Sequence, residues 1–264
     1  MALTKVIGDG LGGTNDLTVD TTTLTVDATN NRVGIGSATP TKVLDITESA
    51  SADTGQIKLT YDGGDGNRAG FILKNTHTGG REYGIYAGNN ATGGGLGNSL
   101  AISDNTASTA YRLIIDSSGA VTMPSQPAFY VETSSTQTNF GLNSTHTLAF
   151  GTERFDQNAD FASNVFTAPV TGKYFFNTTL RLESIDTGAS YYLWGFDTSN
   201  NDYVSIIDPN FSADVSYISV SQNVVADMDA GDTAKVIFQQ AGGTQQTDLQ
   251  GAGGYSYFSG YLVA

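Results

Sequence analysis

Few residues in this chain have the types and spacing that catalysis requires. The sequence holds two histidines, His77 and His146, and no cysteine. Neither histidine lies in a serine–histidine–aspartate arrangement, so nucleophilic catalysis has no support. Glu153 and Asp156 form the nearest carboxylate pair, but residues three apart on a strand face opposite sides, which does not suit glycoside cleavage. We therefore predict that the chain is not an enzyme and needs no cofactor.

Two groups of oxygen-bearing side chains are the weak candidates for binding calcium. Asp227, Asp229 and Asp232 precede a predicted strand, and the glycine-rich segment 62–67 carries two aspartates and an asparagine. Calcium prefers such oxygen ligands, but segment 62–67 lacks the ligand spacing of an EF-hand. Aspartate is also a common turn residue. Turn formation is the alternative for both groups, and we predict no bound metal; the absence of cysteine also excludes thiolate metal sites and disulfides.

The chain is strongly acidic, with a formal net charge of −14. Nucleic acids and anionic membrane surfaces attract basic proteins, so we predict no nucleic-acid partner. The sequence has no apolar run long enough to span a membrane, so we predict no membrane insertion. The first residues lack the apolar region of a signal peptide. We therefore expect synthesis in a cytoplasm and, for any role outside, release by a route such as cell lysis.

The composition predicts an all-β protein made of short strands and turns. Only 39% of the residues are hydrophobic and 14% are charged, and the chain holds 32 glycines. Most of the 26 acidic residues are aspartate, which favours turns over helices. Aromatic residues make up 10% of the chain, which argues against disorder.

Residues 1–48 contain a short repeat. The tetrapeptide Leu-Thr-Val-Asp at 17–20 recurs at 24–27, with looser copies at 44–46 and 113–116. Strands this short cannot bury a core within one chain, so such units gain stability by stacking or by intertwining with other chains. Seven residues is also a coiled-coil period, but threonine and aspartate between the apolar positions favour a β-repeat.

Gly34 and Gly36 flank Ile35, and Pro40 follows four residues later. Glycine lets backbones approach closely, and proline ends strand pairing. Two interpretations stay open: a turn between two strands, or a crowded three-fold axis where only small residues fit.

Segments 3–12 and 33–46, together with the repeats between them, resemble the N-terminal parts of bacteriophage fibre proteins. The resemblance implies that the first residues attach the fibre to the particle and that the repeats build a trimeric shaft. It also implies a location in the virion and a partner in the baseplate, tail or capsid. The predicted anchor residues are the apolar side chains of this opening segment: Leu3, Val6, Ile7 and Leu11.

Residues 49–124 predict a small β-rich shaft or knob module. Short strand signals alternate with glycine-rich turns, at 56–61, 70–74, 83–86, 100–102 and 111–115. The module ends at Pro124, and the Ser-Gln-Pro at 125–127 is a natural boundary. We therefore predict three domains: 1–48, 49–124 and 125–264.

Residues 125–264 predict a jelly-roll sandwich, because short strands are separated by turn signals throughout. The predicted strands are 128–133, 146–151, 164–168, 173–182, 190–196, 203–207, 216–226, 233–239 and 255–263. Three of these strands carry apolar side chains on both faces, which predicts an interface between subunits. The proposed interface residues are Tyr174, Phe176, Tyr192, Trp194, Tyr255, Tyr257, Phe258 and Tyr261; Trp194 is assigned to the core or the interface, with a sugar contact as the alternative.

Four segments of this part, 155–156, 166–176, 230–236 and 257–262, resemble the globular head shared by complement C1q and tumour-necrosis-factor-like proteins. The resemblance implies a trimeric, ten-stranded jelly roll whose ligand specificity lies in variable loops. Asp156 departs from the pattern, since the family often has asparagine there. Either the stripe of Tyr255, Tyr257 and Tyr261 or the opposite face with Phe258 would then line the three-fold axis.

Our leading hypothesis is a homotrimeric structural fibre of a bacteriophage particle, attached by its N-terminus, whose head binds a glycan or protein on the host surface. The contact surface is predicted in loops 186–190, 197–203, 208–214 and 242–254, with Asn200, Asp202, Tyr203, Asn210 and Gln245 as contact residues. One alternative is a capsid- or collar-decorating fibre with no specific receptor. Another is a tail spike that degrades polysaccharide.

Overall fold

The computed structural model describes residues 17–19, 23–47, 57–60, 68–88, 97–107, 110–251 and 253–264. Every regular element in this part is a β-strand, which confirms the all-β prediction. None of the described residues belongs to a helix that could cross a membrane. The chain forms two compact units, residues 1–70 and 71–264.

The first unit contains a four-stranded sheet in sequential order. Its strands are β1 Leu17–Val19, β2 Leu24–Asp27, β3 Arg32–Ile35 and β4 Leu44–Ile46. The first two copies of the repeat pair with each other antiparallel, and β3 pairs with β4 in parallel. A strand was predicted over 56–61. The described part of that segment, residues 57–60, has no regular structure.

The backbone conformation at position 36 and the closeness of Thr47 require a glycine there. Its φ of +71° lies in the left-handed region, and a Cβ there would collide with the carbonyl oxygen of Thr47. The Arg32 guanidinium donates to the carbonyl of Pro40 at 2.9 Å, which holds the following loop. Residues 36–43 form the loop that connects the parallel strands β3 and β4, and the interpretation as a crowded three-fold axis stays a prediction.

The second unit begins with a five-stranded sheet in sequential order. Its strands are β5 Ala69–Lys74, β6 Glu82–Ala87, β7 Leu100–Asp104, β8 Ala110–Ile115 and β9 Val121–Thr122. On one face, Ile85 lies beside Ile102, and Ile102 lies beside Leu113. Ile85 is 37% exposed and Ile102 38%, so a single chain leaves this apolar face partly uncovered.

The remaining strands form a two-sheet sandwich. They are β10 Ala128–Glu132, β11 His146–Thr147, β12 Thr152–Asp156, β13 Phe161–Ala162, β14 Val165–Thr167, β15 Gly172–Ile185, β16 Ala189–Thr198, β17 Asp202–Ile207, β18 Val215–Met228, β19 Thr233–Gly242, β20 Asp248–Leu249 and β21 Tyr257–Leu262. The front sheet has the order β12-β10-β21-β15-β18, with β20 also on β15. The back sheet has the order β13-β14-β19-β16-β17, with β11 also on β19. All nine predicted runs overlap a strand; β12, β13 and β20 were not among those runs.

Aromatic rings from both sheets fill the space between them. Phe258 lies 4.8 Å from Phe129 and 5.7 Å from Phe176 in the front sheet, measured between ring centroids, and 5.5 Å from Phe196 in the back sheet. Side chains alternate along a strand, so every second residue of these strands enters the core. Burying one such ring stabilises the fold by about 1.5–3 kcal/mol.

One end of the sandwich, here called the proximal end, holds both ends of the domain's chain. The Leu262 N–H donates to the carbonyl of Pro127 at 3.1 Å, and the Ala168 N–H donates to the carbonyl of Asp232 at 2.8 Å. The turns gathered at this end are 168–171, 199–201 and 229–232.

The opposite, distal end lies a strand length away. β15 runs from the proximal to the distal end over 14 residues, which corresponds to about 45 Å of extended chain. The turns 186–188, 208–214 and 243–247 gather here. Asp214 binds the first turn by accepting the Thr187 N–H at 2.9 Å, and Asp186 binds the third by accepting the Gln245 N–H at 2.7 Å.

Candidate interaction surfaces of the head

Four of the predicted interface residues lie in the core of a single chain, which corrects that prediction for them. Tyr174, Phe176, Tyr192 and Phe258 are at most 1% exposed. Two of these residues also satisfy their polar group inside the chain: the Tyr174 hydroxyl donates to the carbonyl of Val170 at 2.8 Å, and the Tyr192 hydroxyl lies 3.1 Å from the Thr247 hydroxyl. These rings are enclosed between the two sheets, so no neighbouring subunit can contact them.

Trp194 also belongs to the core, which is one of the two places predicted for it. It is 7% exposed, and its indole N–H donates to the carbonyl of Ser221 at 3.3 Å. This bond connects β16 of the back sheet to β18 of the front sheet.

The tyrosines of the last strand lie on the outer surface of the front sheet. Tyr261 pairs with Ala128 on one side and Phe175 on the other, and Phe175 pairs with Val225. Tyr257 stacks on Tyr130 at 5.2 Å between ring centroids. The inward Phe258 and the outward Tyr257 thus decide the orientation that the sequence left open.

Six side chains make up this surface, which we call the outward aromatic face: Tyr130, Phe155, Phe175, Val225, Tyr257 and Tyr261. Phe155, Val225 and Tyr261 are 51%, 55% and 50% exposed. Within the described residues of the sandwich, no second layer lies over them. The pKa of Tyr130 is raised by burial and by the nearby Glu132 carboxylate, as expected for a phenol on an apolar surface.

Tyr255 lies nearer the distal end of the same surface, in a stack with a cation. The Arg181 guanidinium lies 4.5 Å from the centroids of both the Tyr255 and the Tyr217 rings. A guanidinium between two aromatic faces is a favourable cation–π arrangement. Arg181 therefore has a structural place between the two rings.

The predicted receptor contacts do not form one surface. Asn200 lies in a proximal turn, where its amide donates to the carbonyl of Asp227 at 3.2 Å. Tyr203 is on strand β17, where its side chain packs against the core, and Asp202 is exposed at the start of that strand. These three residues are therefore separated from the exposed distal pair: Asn210 and Gln245.

The three candidate calcium ligands are engaged in separate structural bonds at the proximal end. Asp227 pairs with Lys173 at 3.1 Å, and Asp229 accepts the Thr171 hydroxyl at 3.4 Å. Asp232 accepts the Asp229 N–H at 2.7 Å, and this bond is the main reason that the pKa of Asp232 is lowered. Among the described residues no group of three acidic, histidine or cysteine side chains could hold a metal ion.

The predicted anchor residues Leu3, Val6, Ile7 and Leu11 lie outside the described residues, as does the segment 62–67.

A cleft of about 270 Å³ opens at the distal end of the front sheet. It is lined by Glu183, Ser184, Ile185, Asp214, Val215, Ser216, Tyr217 and Gln245. Gln245 was a predicted contact residue, and Asp214 lies in the predicted contact loop 208–214. The sequence signal available for Tyr217 was a tyrosine near the start of the strand predicted over 216–226, on the side that continues with Ser219, Ser221 and Asn223.

A buried carboxylate fixes the backbone beside this cleft. Asp186 is 4% exposed and accepts hydrogen bonds from the N–H groups of Gly188, Thr244 and Gln245. The bonds from Gln245 and Thr244 are the main reasons that the pKa of Asp186 is lowered. One side chain thus connects two distal turns and positions Gln245 at the rim of the cleft.

Comparison with known proteins identifies the domain. Residues 128–263 match the family described as the C1q domain, so the chain belongs to the C1q domain family. Domains of this family and of the related tumour-necrosis-factor-like group are typically binding modules without enzymatic activity. The jelly-roll prediction is confirmed.

Two solved structures illustrate the similarity. The globular domain of zebrafish complement 1qA protein is 20% identical and covers 52% of this chain and 98% of its own, with a TM-score of 0.39. Murine APRIL is 10% identical and covers 52% of this chain and 99% of its own, with a TM-score of 0.38. No curated protein sequence matches the chain.

Proposed function

We propose that the chain is a homotrimeric structural fibre protein of a bacteriophage particle, with the C1q domain as its host-binding head. The observation that carries the trimer is the outward aromatic face. A sandwich needs apolar side chains on the inner face of each sheet only, yet the front sheet presents aromatic rings to solvent as well. Further copies of the chain would cover these rings.

The outward aromatic face is large enough to form part of an interface between copies of the chain. An aromatic side chain buries about 150–250 Å² when fully covered. Three of the six side chains are about half exposed and the other three are less exposed, so together they offer on the order of 400 Å², within the range of the largest apolar patches found on monomers. A stable interface buries about 800 Å² per partner. This face can thus supply most of the apolar part of one interface.

The fibre assignment rests on the first 124 residues. Their short strands include the repeat pairing of β1 with β2, and the sheet β5–β9 leaves Ile85 and Ile102 exposed. Such small units gain stability by association with other copies. The resemblance of segments 3–12 and 33–46 to phage fibres supplies the particle context, with the N-terminus attached to a baseplate, tail or capsid protein.

The distal end of the head is the part we assign to binding the host surface. The chain enters the domain at the proximal end through Pro127, so a shaft that ends there would present the distal turns outward. Three heads on one shaft would gain avidity from their high effective concentration. A decorating fibre without a receptor stays the alternative, and we propose no enzymatic role.

Binding of the full chain to bacterial cells tests the proposal. We expect the wild type to sediment with cells, and Tyr261→Asp to bind about 10²–10⁴-fold more weakly, because loss of the trimer removes avidity. Val170→Asp is the matched control, since it places a carboxylate on another exposed apolar residue outside the outward aromatic face. Wild-type protein that binds no cells in a broad bacterial panel would favour decoration, and equal binding by Tyr261→Asp would contradict the role of the trimer.

A further inference from the structure

We propose that the distal cleft binds an uncharged or amino-bearing sugar of a surface glycan. This inference rests on the proposed host-binding function and names its ligand class. The cleft combines polar side chains without partners, an exposed aromatic ring and two carboxylates.

Several cleft side chains have hydrogen-bonding capacity that the domain does not use. Within the described residues, the carboxylate of Glu183, the amide of Gln245 and the hydroxyls of Ser184 and Ser216 make no hydrogen bond to the protein. Asp214 uses one carboxylate oxygen for Thr187 and keeps the other free. These groups are therefore available to the hydroxyl groups of a ligand.

The polar residues of the proximal end show the opposite arrangement. Ser199, Asn200 and Asp232 bind one another, at 2.9 Å from Ser199 to Asp232 and 2.5 Å from Asn200 to Asp232. Their groups stabilise turns and are already occupied. We place ligand binding at the distal end because its polar groups are unused, whereas these proximal groups are already hydrogen-bonded.

Tyr217 supplies an aromatic wall for the cleft. Its side chain is 54% exposed although Arg181 lies over the ring. An aromatic ring with a polar rim offers an apolar surface and polar groups together, which suits the C–H face and the hydroxyls of a sugar. The open, shallow shape of the site also fits the end or edge of a glycan chain.

The charge of the lining selects among sugars. Glu183 and Asp214 are the carboxylates of its lining, which contains no lysine, arginine or histidine; Arg181 lies beside the cleft, on the ring of Tyr217. Carboxylates accept hydrogen bonds from hydroxyl or ammonium groups and repel sugar carboxylates and phosphates. Sialic or uronic acids therefore do not fit the cleft, and the described residues contain no group of three acidic, histidine or cysteine side chains that could hold a metal ion between the protein and a sugar.

The backbone at Ser184 creates the cleft. Ser184 has a φ of +60°, in the left-handed region that non-glycine residues seldom adopt. Strand alternation would place Glu183 and Ile185 on the same face. Instead, Glu183 is partly exposed and Ile185 is only 1% exposed. The side chain of Ile185 thus packs in the core, while Glu183 lines the polar cleft.

Binding to an array of neutral, amino-bearing and acidic oligosaccharides tests the inference. We expect the full-length chain to bind at least one neutral or amino-bearing glycan and no acidic one. Glu183→Gln and Tyr217→Ala should each weaken that binding at least tenfold. Glu153→Gln is the matched control for Glu183→Gln, since it makes the same change at an exposed carboxylate outside the cleft, and it should bind like the wild type.

The outcomes separate this inference from the proposed function. Binding to acidic glycans only, no glycan binding, or full binding by both cleft variants would overturn the sugar site. A trimer that binds cells through a protein, without competition from any glycan, would also overturn it and would leave the host-binding function intact. A chain that binds no cells would instead contradict the host-binding function. Variant mass and the urea midpoint show whether Tyr217→Ala is folded, and Glu183→Gln, which conserves shape, decides the question if it is not.

Discussion

Replacing Phe258 by alanine tests whether the last strand faces the core or a neighbouring subunit. Phe258 is 0% exposed and contacts rings from both sheets. Truncating a fully buried phenylalanine costs about 3–5 kcal/mol, because apolar burial is lost and a cavity remains. With a urea m-value of about 2 kcal/mol/M, the unfolding midpoint should fall by roughly 1.5–2.5 M.

The fluorescence of Trp194 provides the assay. The chain has a single tryptophan, and it lies buried between the sheets of the head. The urea midpoint should be measured at two protein concentrations, because dissociation of an oligomer makes the midpoint depend on concentration. Tyr261→Ala is the control on the other face of the same strand.

The two variants should differ in how their urea midpoints depend on protein concentration. Phe258→Ala should lower the midpoint at both concentrations, whereas Tyr261→Ala should act mainly through loss of association. A Phe258→Ala midpoint within about 0.5 M of the wild type would refute the core assignment, since that corresponds to only about 1 kcal/mol.

Further predictions concern the core and the distal turns. Gly260→Ala should destabilise the head by about 1–3 kcal/mol in urea unfolding, because its Cβ would lie 2.6 Å from a Phe176 ring carbon. Tyr174→Phe should cost about 1 kcal/mol in the same assay through loss of the bond to Val170, and an unchanged midpoint would contradict that bond. The lowered pKa of Asp186 contributes stability that is complete above the unfolded pKa of about 3.9 and is lost as the pH falls through the folded pKa. Asp186→Asn should therefore lower the midpoint at pH 7 and approach the wild type in acid, and a constant difference across pH would count against the carboxylate.

The strands of the head could be predicted because their alternation and turn signals are local. The sequence could not show which face of the last strand is inward, since both faces are apolar. That choice depends on the back sheet, whose Phe196 and Phe166 come from distant parts of the chain and meet Phe258 and Phe129. The strands with apolar side chains on both faces therefore predicted a core and a further apolar surface. The sequence assigned some of the core rings, such as Phe258, to that surface.

The candidate sites were harder to predict because they depend on topology. Asn200 and Gln245 both lie in polar loops, yet β-strands of the sandwich place them at opposite ends. The distal cleft depends on the left-handed backbone of Ser184, and nothing in the residue type signals that conformation. Glu183 and Tyr217 could therefore be recognised only after the strands were placed.

The mass of the purified full-length chain in solution tests the central claim most directly. Light scattering should give about three times the 27.6 kDa of one chain, and Tyr261→Asp should give the mass of one chain with its head still folded. A monomeric wild type would contradict the trimer and the fibre function that depends on it, and an unchanged trimer in Tyr261→Asp would contradict the outward aromatic face as its interface.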